Sequence, residues 1–429
     1  MTEEQLVRRI VIATRIFTPE PAAAALRLEG LARALVSEGH EVEVLTTAFQ
    51  NCPRVTRDGR LTVRRAPALR DESGVVRGYV QYLSFDIPLL LRLLASRRPD
   101  VIVNEPPPTT GVIVRLAAAL RRVPYVYYAG DVLSDAATTG GLPGPAVAVL
   151  RKLERIALTG ARSVIAVSPA VLKRVRELGA RRATTVLNGI ATDDYRDRNE
   201  APPGFPPAEG ATFLYAGTVA EWLAPETFID AFAIAHRHLP GSRLIFLGQG
   251  TAWNSLKKYA QQFDVPISFH DAVPPSEARG WYAHADVALA SIRPGNYDYA
   301  YPTKILAALA QGTPVIYAGR GPAVDDIRSG DLGIAVDLEP QQVARAMIDL
   351  AGRGRAHDER RRSRIRKWVI DNRSLSTSSR QAAQAVLDAA SAAERGRRRG
   401  RRRNGAATAR DDAAKSQHPQ TSSARTSRA

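Results

Sequence analysis

The sequence is poor in the features that mark secreted and membrane-spanning proteins. It has 429 residues but a single cysteine, Cys52, which excludes an intramolecular disulfide and favours a reducing compartment. The first residues, MTEEQLVRR, lack the apolar core of a secretory signal peptide. No apolar stretch reaches the ~18 residues that a transmembrane helix needs. We therefore expect a cytoplasmic protein, which a basic segment would allow to associate peripherally with the inner face of the cell membrane.

Excess positive charge is nearly absent from most of the chain and concentrated at its carboxyl end. Residues 351–429 hold 21 Lys and Arg against 7 Asp and Glu, whereas the first 350 residues hold 39 against 36. The near-neutral larger part argues against nucleic acid as the main ligand. The Arg-rich tail, residues 394–429, has no hydrophobic period and is predicted to be disordered. It is either simply solvated or binds an anionic membrane surface.

Motifs of several enzyme classes are absent as well. The histidines show no spacing with cysteines or acids that is typical of a metal site, and no GxSxG, P-loop or zinc pattern is present. We expect neither a metal ion nor a bound cofactor.

What the chain does contain is a regular alternation of short apolar runs and segments with a helical period. The strand-like runs are residues 10–14, 42–46, 101–104, 125–128 and 163–167, and then 212–217, 243–248, 267–270, 286–290 and 314–319. Strands that alternate with helices indicate parallel βαβ units in a doubly wound sheet.

A proline-rich, charged segment divides this alternation. Residues 193–210 contain four prolines and are predicted to be a linker between residues 1–192 and residues 211–355. Residues 356–393 contain further helical stretches, which we expect to return to the first domain. The predicted fold is therefore α/β, with two Rossmann-like domains that face a ligand cleft at the carboxyl ends of their strands.

Two segments of the second domain have the composition of phosphate sites. Gly248 and Gly250 follow a strand and open a helix, so that backbone N–H groups would be accessible to a phosphate. Thr303 and Lys304 begin the next long helix, where a cation opposes the helix dipole unless an anion binds there. A plain turn and a surface lysine are the alternatives.

Other polar residues follow strand ends without a decisive pattern. Asp298, Tyr299 and Tyr301 either line a sugar or base pocket or pack within their loop. Asp131 is either a cleft residue or a helix cap. Glu105 either contacts an acceptor hydroxyl or is solvated.

The leucine-rich segment 82–98 also carries arginines and has two interpretations. It either rests on a membrane surface or packs as an ordinary helix.

Several of these segments occur in the order found in one enzyme family. They are TPEPAAAALRLEGLARALVSEGHEVEVLTT, RPDVIVNEPPPTTG, VPYVYYAGDVLSD, SVIAVSPAVLKRV, VLNGIATDDY, LIFLGQGTAWNSLKKYA, ISFHDAVPPSEARGWYAHADVALASI and YPTKILAALAQGTPVIYAG. Together they resemble bacterial family 4 glycosyltransferases of the GT-B fold, in particular those that act on surface-polysaccharide or lipid-linked sugars. The resemblance covers roughly residues 8–390.

The resemblance implies a transferase that takes a nucleoside-diphosphate sugar as substrate and a lipid-linked or glycan molecule as acceptor. Such enzymes generally need no metal and retain the anomeric configuration. The resemblance assigns Asp131 and Lys304 to catalysis and Glu20, Asn104 and Glu105 to the acceptor side. The implied donor-binding residues are Asn188, Gly189, Gly217, Thr218, Gly248, Gly250, Ala272, Val273, Asp298, Tyr299, Tyr301, Thr303 and Lys304.

The chain departs from the family pattern at four donor positions. Ala307 and Tyr299 stand where the family carries two acids, and Thr218 and Leu223 stand where it carries Arg and Lys. Asp298, the tyrosines, Arg293 and Arg320 are the candidate substitutes. A non-catalytic GT-B scaffold or binding protein with an impaired donor site is therefore an alternative function, and a sugar-nucleotide epimerase is another.

Overall fold

Short runs rich in Val, Ile and Ala form the central strands of an eight-stranded sheet. The structure, a computed structural model, describes residues 7–20, 22–71, 74–76, 78–139, 142–192, 201–206, 209–295, 298–352 and 359–415. The strands of this sheet are β1 (Arg9–Ala13), β2 (Glu41–Thr47), β3 (Val55–Asp58), β4 (Leu61–Ala66), β5 (Val101–Asn104), β6 (Tyr125–Ala129), β7 (Ser163–Ala166) and β8 (Ala183–Thr185).

The strand order is β3-β4-β2-β1-β5-β6-β7-β8, and all neighbours are parallel except β3 and β4. These two form an antiparallel hairpin at one edge, which the strand pattern did not predict because their sequences, VTRD and LTVRRA, are mostly polar. The helices of this domain are α1 (Ala23–Ser37), α2 (Tyr79–Ala95), α3 (Pro108–Arg121), α4 (Leu133–Thr139), α5 (Gly144–Gly160) and α6 (Pro169–Glu177).

The second sheet has six strands, all parallel, in the order β11-β10-β9-β12-β13-β14. Its strands are β9 (Thr212–Thr218), β10 (Arg243–Gln249), β11 (Ile267–Asp271), β12 (Val287–Ser291), β13 (Val315–Ala318) and β14 (Gly333–Val336). Its helices are α7 (Glu226–Ala235), α8 (Trp253–Ala260), α9 (Pro275–His284), α10 (Thr303–Ala310), α11 (Pro322–Ser329) and α12 (Pro340–Gly352). The predicted architecture of two Rossmann-like parallel sheets is confirmed.

Two C-terminal helices follow the second sheet. Helix α13 (Glu359–Arg373) packs against α10, and α14 (Leu375–Lys415) packs against α1 and the first sheet. Between them the backbone meets the end of the first domain. Ile190 N donates to the carbonyl of Arg373 at 2.8 Å, and Leu375 N donates to the carbonyl of Ile190 at 2.9 Å.

The backbone of α14 continues beyond residue 393, where the helices were predicted to end, as far as Lys415. Residues 416–429 of the predicted tail lie outside the described residues. In the described part of the chain, no helix is long and apolar enough to cross a membrane.

Candidate donor and acceptor site

The glycine loop of the second domain, residues 248–250, has no room for a side chain at either of its two glycines. A Cβ atom on Gly250 would lie 1.9 Å from the carbonyl oxygen of Val219, so no side chain fits there. The loop is held by Val219 N, which donates to the carbonyl of Gln249 at 2.9 Å. The ends of β9 and β10 therefore approach so closely that only glycine is tolerated at Gly248 and Gly250.

The ammonium group of Lys304 lies beside this glycine loop. Its Nζ donates to the carbonyl of Thr218 at 3.3 Å and lies 3.5 Å from the centroid of the Tyr215 ring. Gly217 contacts the lysine stem, since a Cβ atom there would lie 3.5 Å from Lys304 Cε, and its φ of +118° is a backbone conformation that favours glycine. The side chain thus crosses from the start of α10 to the ends of β9 and β10, as the resemblance requires of a group that contacts the donor phosphates.

Lys304 has a strongly perturbed amine. Burial lowers the pKa of its amine well below the ordinary value. Among the described residues no carboxylate forms an ion pair with it; its recorded partners are the Thr218 carbonyl and the Tyr215 ring. A desolvated cation at a helix N-terminus without an acidic partner attracts an anion, and two linked phosphates would satisfy both the cation and the nearby N–H groups.

Three predicted donor residues have partners of their own. Asp298 Oδ1 accepts a hydrogen bond from Gly295 N at 2.6 Å, within its own loop. The Tyr299 hydroxyl donates across the cleft to Asp135 Oδ2 of the first domain at 3.1 Å. The Tyr301 ring packs against the guanidinium of Arg373, whose carbon lies 5.1 Å from the ring centroid.

Of the remaining donor candidates, Asn188 accepts a hydrogen bond through Oδ1 from Arg27 NH1 at 3.5 Å. Thr303 is half-buried in the first turn of α10, Ala272 is exposed after β11, and Val273 is half-buried against the core. Asn188 and Gly189 lie where the domains join. A Cβ atom on Gly189 would lie 2.7 Å from Leu375 Cα, so its position is set by backbone packing.

The departures from the family pattern have clear structural counterparts. Ala307 packs against the core of the second domain, and Leu223 is buried in that core. Of the candidate substitutes, Arg293 donates to Glu226 Oε1 at 2.7 Å. Arg320 lines a cavity of about 770 Å³ between the domains, which Asp298 and Tyr299 also line but Lys304 does not.

The first domain presents a connected polar cluster at the carboxyl ends of β1, β5 and β6. Glu105 accepts from Thr14 Oγ1 at 2.8 Å and pairs with Arg27 NH2 at 3.1 Å. The Arg27 guanidinium lies over the Tyr128 ring and fills the space that Gly130 leaves, where a Cβ atom would come within 2.6 Å of it. Arg27 was not among the predicted site residues, because an arginine within a helix gives no local signal of its partner.

Asp131 acts electrostatically on this cluster. Burial raises the pKa of Glu105, Arg27 and Thr14 oppose that shift, and the negative charge of Asp131 adds to it. Asp131 itself is half-buried at the end of β6. It is therefore the more accessible of the two acids.

Two predicted acceptor residues are occupied within the first domain. Glu20 is 7% exposed and pairs with Arg70 at 3.0 Å. Asn104 is fully buried, and its amide lies beside the space that Gly111 leaves free. Burial therefore favours a structural role for both side chains over contact with an acceptor.

The two facing Rossmann-like domains, with a cation and glycine loop on one edge and a polar cluster on the other, define a GT-B protein. Residues 23–189 match the family described as Glycosyl transferase 4-like domain, and residues 210–353 match Glycosyl transferases group 1. The chain belongs to the family 4 glycosyltransferases of the GT-B fold, as its ordered segments predicted.

Curated relatives share part of this chain. GDP-mannose-dependent alpha-(1-6)-phosphatidylinositol dimannoside mannosyltransferase from two strains of Mycobacterium tuberculosis is 32% identical over 144 residues. That match covers 33% of this chain and 36% of the relative. The chain thus spans about a third of the length of the curated relatives that it matches.

Solved structures share the fold at low identity. HepE from Anabaena, in complex with UDP and glucose, has a TM-score of 0.64 at 17% identity, over 89% of this chain and 100% of that one. The catalytic domain of starch synthase IV from Arabidopsis thaliana, bound to ADP and acarbose, has a TM-score of 0.67 at 14% identity, over 90% and 100%. WaaG, a glycosyltransferase involved in lipopolysaccharide biosynthesis, has a TM-score of 0.66 at 14% identity, over 88% and 99%.

Proposed function

We propose that this protein transfers a sugar from a nucleoside-diphosphate sugar to a lipid-linked or cell-envelope acceptor, with retention of anomeric configuration. The observation that carries the proposal is Lys304, whose ammonium lies over the glycine loop with a carbonyl and a ring face as its recorded partners. The donor diphosphate binds there, between the lysine and the N-terminus of α10.

The chemistry follows from where charge develops. The bond between the anomeric carbon and the diphosphate oxygen breaks, and the acceptor hydroxyl oxygen bonds to that carbon. The acceptor proton passes to the departing diphosphate. Lys304 stabilises the negative charge that accumulates on the leaving group, which is where a fixed cation contributes most to rate.

Asp131 faces the acceptor in this proposal. Its carboxylate orients the acceptor hydroxyl and stabilises positive charge at the reacting sugar carbon. Glu105 is buried and paired with Arg27, so in this proposal it has a structural role and does not contact the substrate.

The acceptor class rests on the curated relative, whose name describes a phosphatidylinositol-linked sugar acceptor. Contact of the Arg-rich tail with an anionic membrane surface stays a prediction.

A second candidate function is binding without catalysis. Ala307 and Tyr299 supply no carboxylate at the donor edge, and the Tyr299 hydroxyl is directed to Asp135. A protein with this donor edge would bind a nucleotide weakly and position a partner transferase.

The test is turnover of UDP-, GDP-, ADP- and dTDP-sugars by the full chain, with and without a bacterial lipid extract. We expect release of one nucleoside diphosphate and a glycosylated lipid, both lost in Lys304→Met and retained in Lys257→Met, which removes a lysine from α8. Nucleotide binding without turnover would favour the second candidate, and an epimerised sugar formed without acceptor would favour an epimerase. Failure to bind or consume any nucleotide would refute the proposal.

A further inference from the structure

Helix α2 exposes a continuous row of apolar side chains. Its members recur at spacings of three or four residues, which places them on one face of the helix. They are Val80, Leu83, Ile87, Leu91 and Leu94, with 63, 51, 59, 65 and 38% of each residue exposed. The opposite side of the helix, with Phe85 and Leu89, is buried in the domain. The helix therefore has two apolar faces, and the domain covers one of them.

Helix α3 extends this surface. It packs against α2 and exposes Leu116 and Leu120 by 46 and 63%. Arg121 of α3 donates to the carbonyl of Leu93 and to Ser96 Oγ, so the carboxyl ends of the two helices lie together. We call the surface formed by Val80, Leu83, Ile87, Leu91, Leu94, Leu116 and Leu120 the α2–α3 face.

The two helices that form this face carry mostly positive charge. Residues 79–98 and 108–122 contain six arginines and one acid, Asp86. That acid is fully buried and accepts a hydrogen bond from Thr110 Oγ1 at 2.6 Å. Arg97 and Arg98 are exposed just after α2. Arg97 lies 3.9 Å from Glu41, an acid of β2 that is 45% exposed. An apolar face bordered by arginines, with no exposed acid in its own two helices, is complementary to a lipid surface that carries negative head groups.

The same charges disfavour a second copy of this chain as the occupant. A two-fold dimer through the α2–α3 face would place the same arginine-bordered surface on both partners. Like charges facing each other across an interface oppose association.

The face adjoins the acceptor edge of the first sheet. Arg15 follows directly after Thr14, which contacts Glu105. The Arg15 guanidinium lies over the Tyr82 ring at 5.3 Å and donates to the carbonyl of Val76 at 2.9 Å. The amino end of α2 is thereby fixed beside the polar cluster.

We propose that the α2–α3 face docks on an anionic phospholipid bilayer and holds the acceptor edge at the membrane surface. The docking itself follows from the exposed face and its charges. Its use, the delivery of a lipid-linked acceptor from the bilayer to Asp131, rests on the proposed function.

The test is co-sedimentation of the full chain with vesicles of phosphatidylcholine and phosphatidylglycerol, and with vesicles of phosphatidylcholine alone. We expect the anionic vesicles to bind more protein. The double variant Ile87→Ser, Leu91→Ser should bind them about tenfold less tightly, or weaker still, because two apolar side chains no longer enter the bilayer. The matched control is Ile234→Ser, Ile370→Ser, which removes exposed isoleucines of 37 and 47% from the second domain and should bind as the wild type.

Four measurements distinguish the possible outcomes. Equal unfolding temperatures of the two double variants show that the fold is intact. Wild-type binding by the α2 variant would overturn the proposal and assign membrane contact to the basic tail. If the wild type is a dimer and the α2 variant is a monomer, with vesicle binding unchanged, the membrane proposal is overturned and the face binds a second copy of this chain. Nucleotide affinity should be the same in all variants, so failure here is distinct from failure of the proposed transfer.

Discussion

The carboxyl edges of the two sheets carry different arrangements of charged side chains. In the first domain, Glu105 is held by Arg27 and Thr14, and the negative charge of Asp131 acts on Glu105. In the second domain, a single cation, Lys304, lies over glycine backbone without a carboxylate among the described residues to balance it. On the first edge, acidic and basic side chains balance one another, so that this edge can position a neutral hydroxyl. On the second edge, the charge of Lys304 is balanced only when an anion binds.

The largest effect should come from the first edge. Asp131→Asn keeps the shape of the side chain but removes its charge, and we expect turnover to fall about 10²–10⁴-fold. Nucleotide affinity, which depends on the other domain, should change little. Steady-state kinetics together with calorimetric titration of the nucleoside diphosphate separate the two. A parallel loss of affinity would mean that the edges do not have separate roles.

A substitution at the second edge should lower nucleotide affinity as well as turnover. Lys304→Met removes a charge-assisted contact to the diphosphate, and we expect affinity to fall about 10–100-fold. The free protein should become more stable, because a half-buried amine without a carboxylate partner among the described residues is replaced by an apolar side chain of similar length. Calorimetry and thermal unfolding measure both changes. A variant that binds normally, or one that unfolds earlier, would contradict the assignment.

The junction of the two domains should be sensitive to one methyl group. Gly189→Ala forces a Cβ atom to within 2.7 Å of Leu375 Cα, and we expect a loss of about 1–3 kcal/mol in the free energy of unfolding. Gly144→Ala in α5 is the matched control, because a Cβ atom there meets nothing within 4 Å. Denaturant titration of both variants checks this. Equal stabilities would show that the junction is looser than its geometry indicates.

Sequence reasoning located the elements of the second edge because they are local. Glycines after a strand and a lysine at a helix start can be recognised within a few residues, so Gly250 and Lys304 were predicted. Partners that are distant in the sequence and meet only in the folded structure could not be predicted in this way. Arg27 reaches Glu105 from another element, and Tyr299 reaches Asp135 in the other domain. Glu20 and Asn104 follow strand ends, yet burial assigns them to supporting positions.

The segment 82–98 shows a different limit. Its leucines fit a packed helix and a membrane-facing helix equally well; the buried side of the helix confirms packing, and membrane contact stays a prediction. Burial of Leu89 and exposure of Leu91 on the same helix separate the two faces, which only the neighbouring elements determine.

The smallest effect is the pH dependence of nucleotide affinity. The folded-state pKa of Lys304 lies below its ordinary value, so its charge is lost as pH rises through that lowered pKa. Affinity should then fall, by at most about tenfold per pH unit, because only the charged amine attracts the diphosphate. Stability of the free protein should rise over the same window, since the unfolded chain binds more protons there. Lys304→Met should lack the contribution of this residue to both trends.

The most direct test of the central claim is thermal unfolding of the full chain with saturating UDP, GDP, dTDP and ADP, in the wild type and in Lys304→Met. We expect one nucleotide to stabilise the wild type by ~2.7 kcal/mol at one hundred times its dissociation constant. The same nucleotide concentration should stabilise the variant far less. No stabilisation by any of the four, or an equal stabilisation of the variant, would contradict a diphosphate site at Lys304.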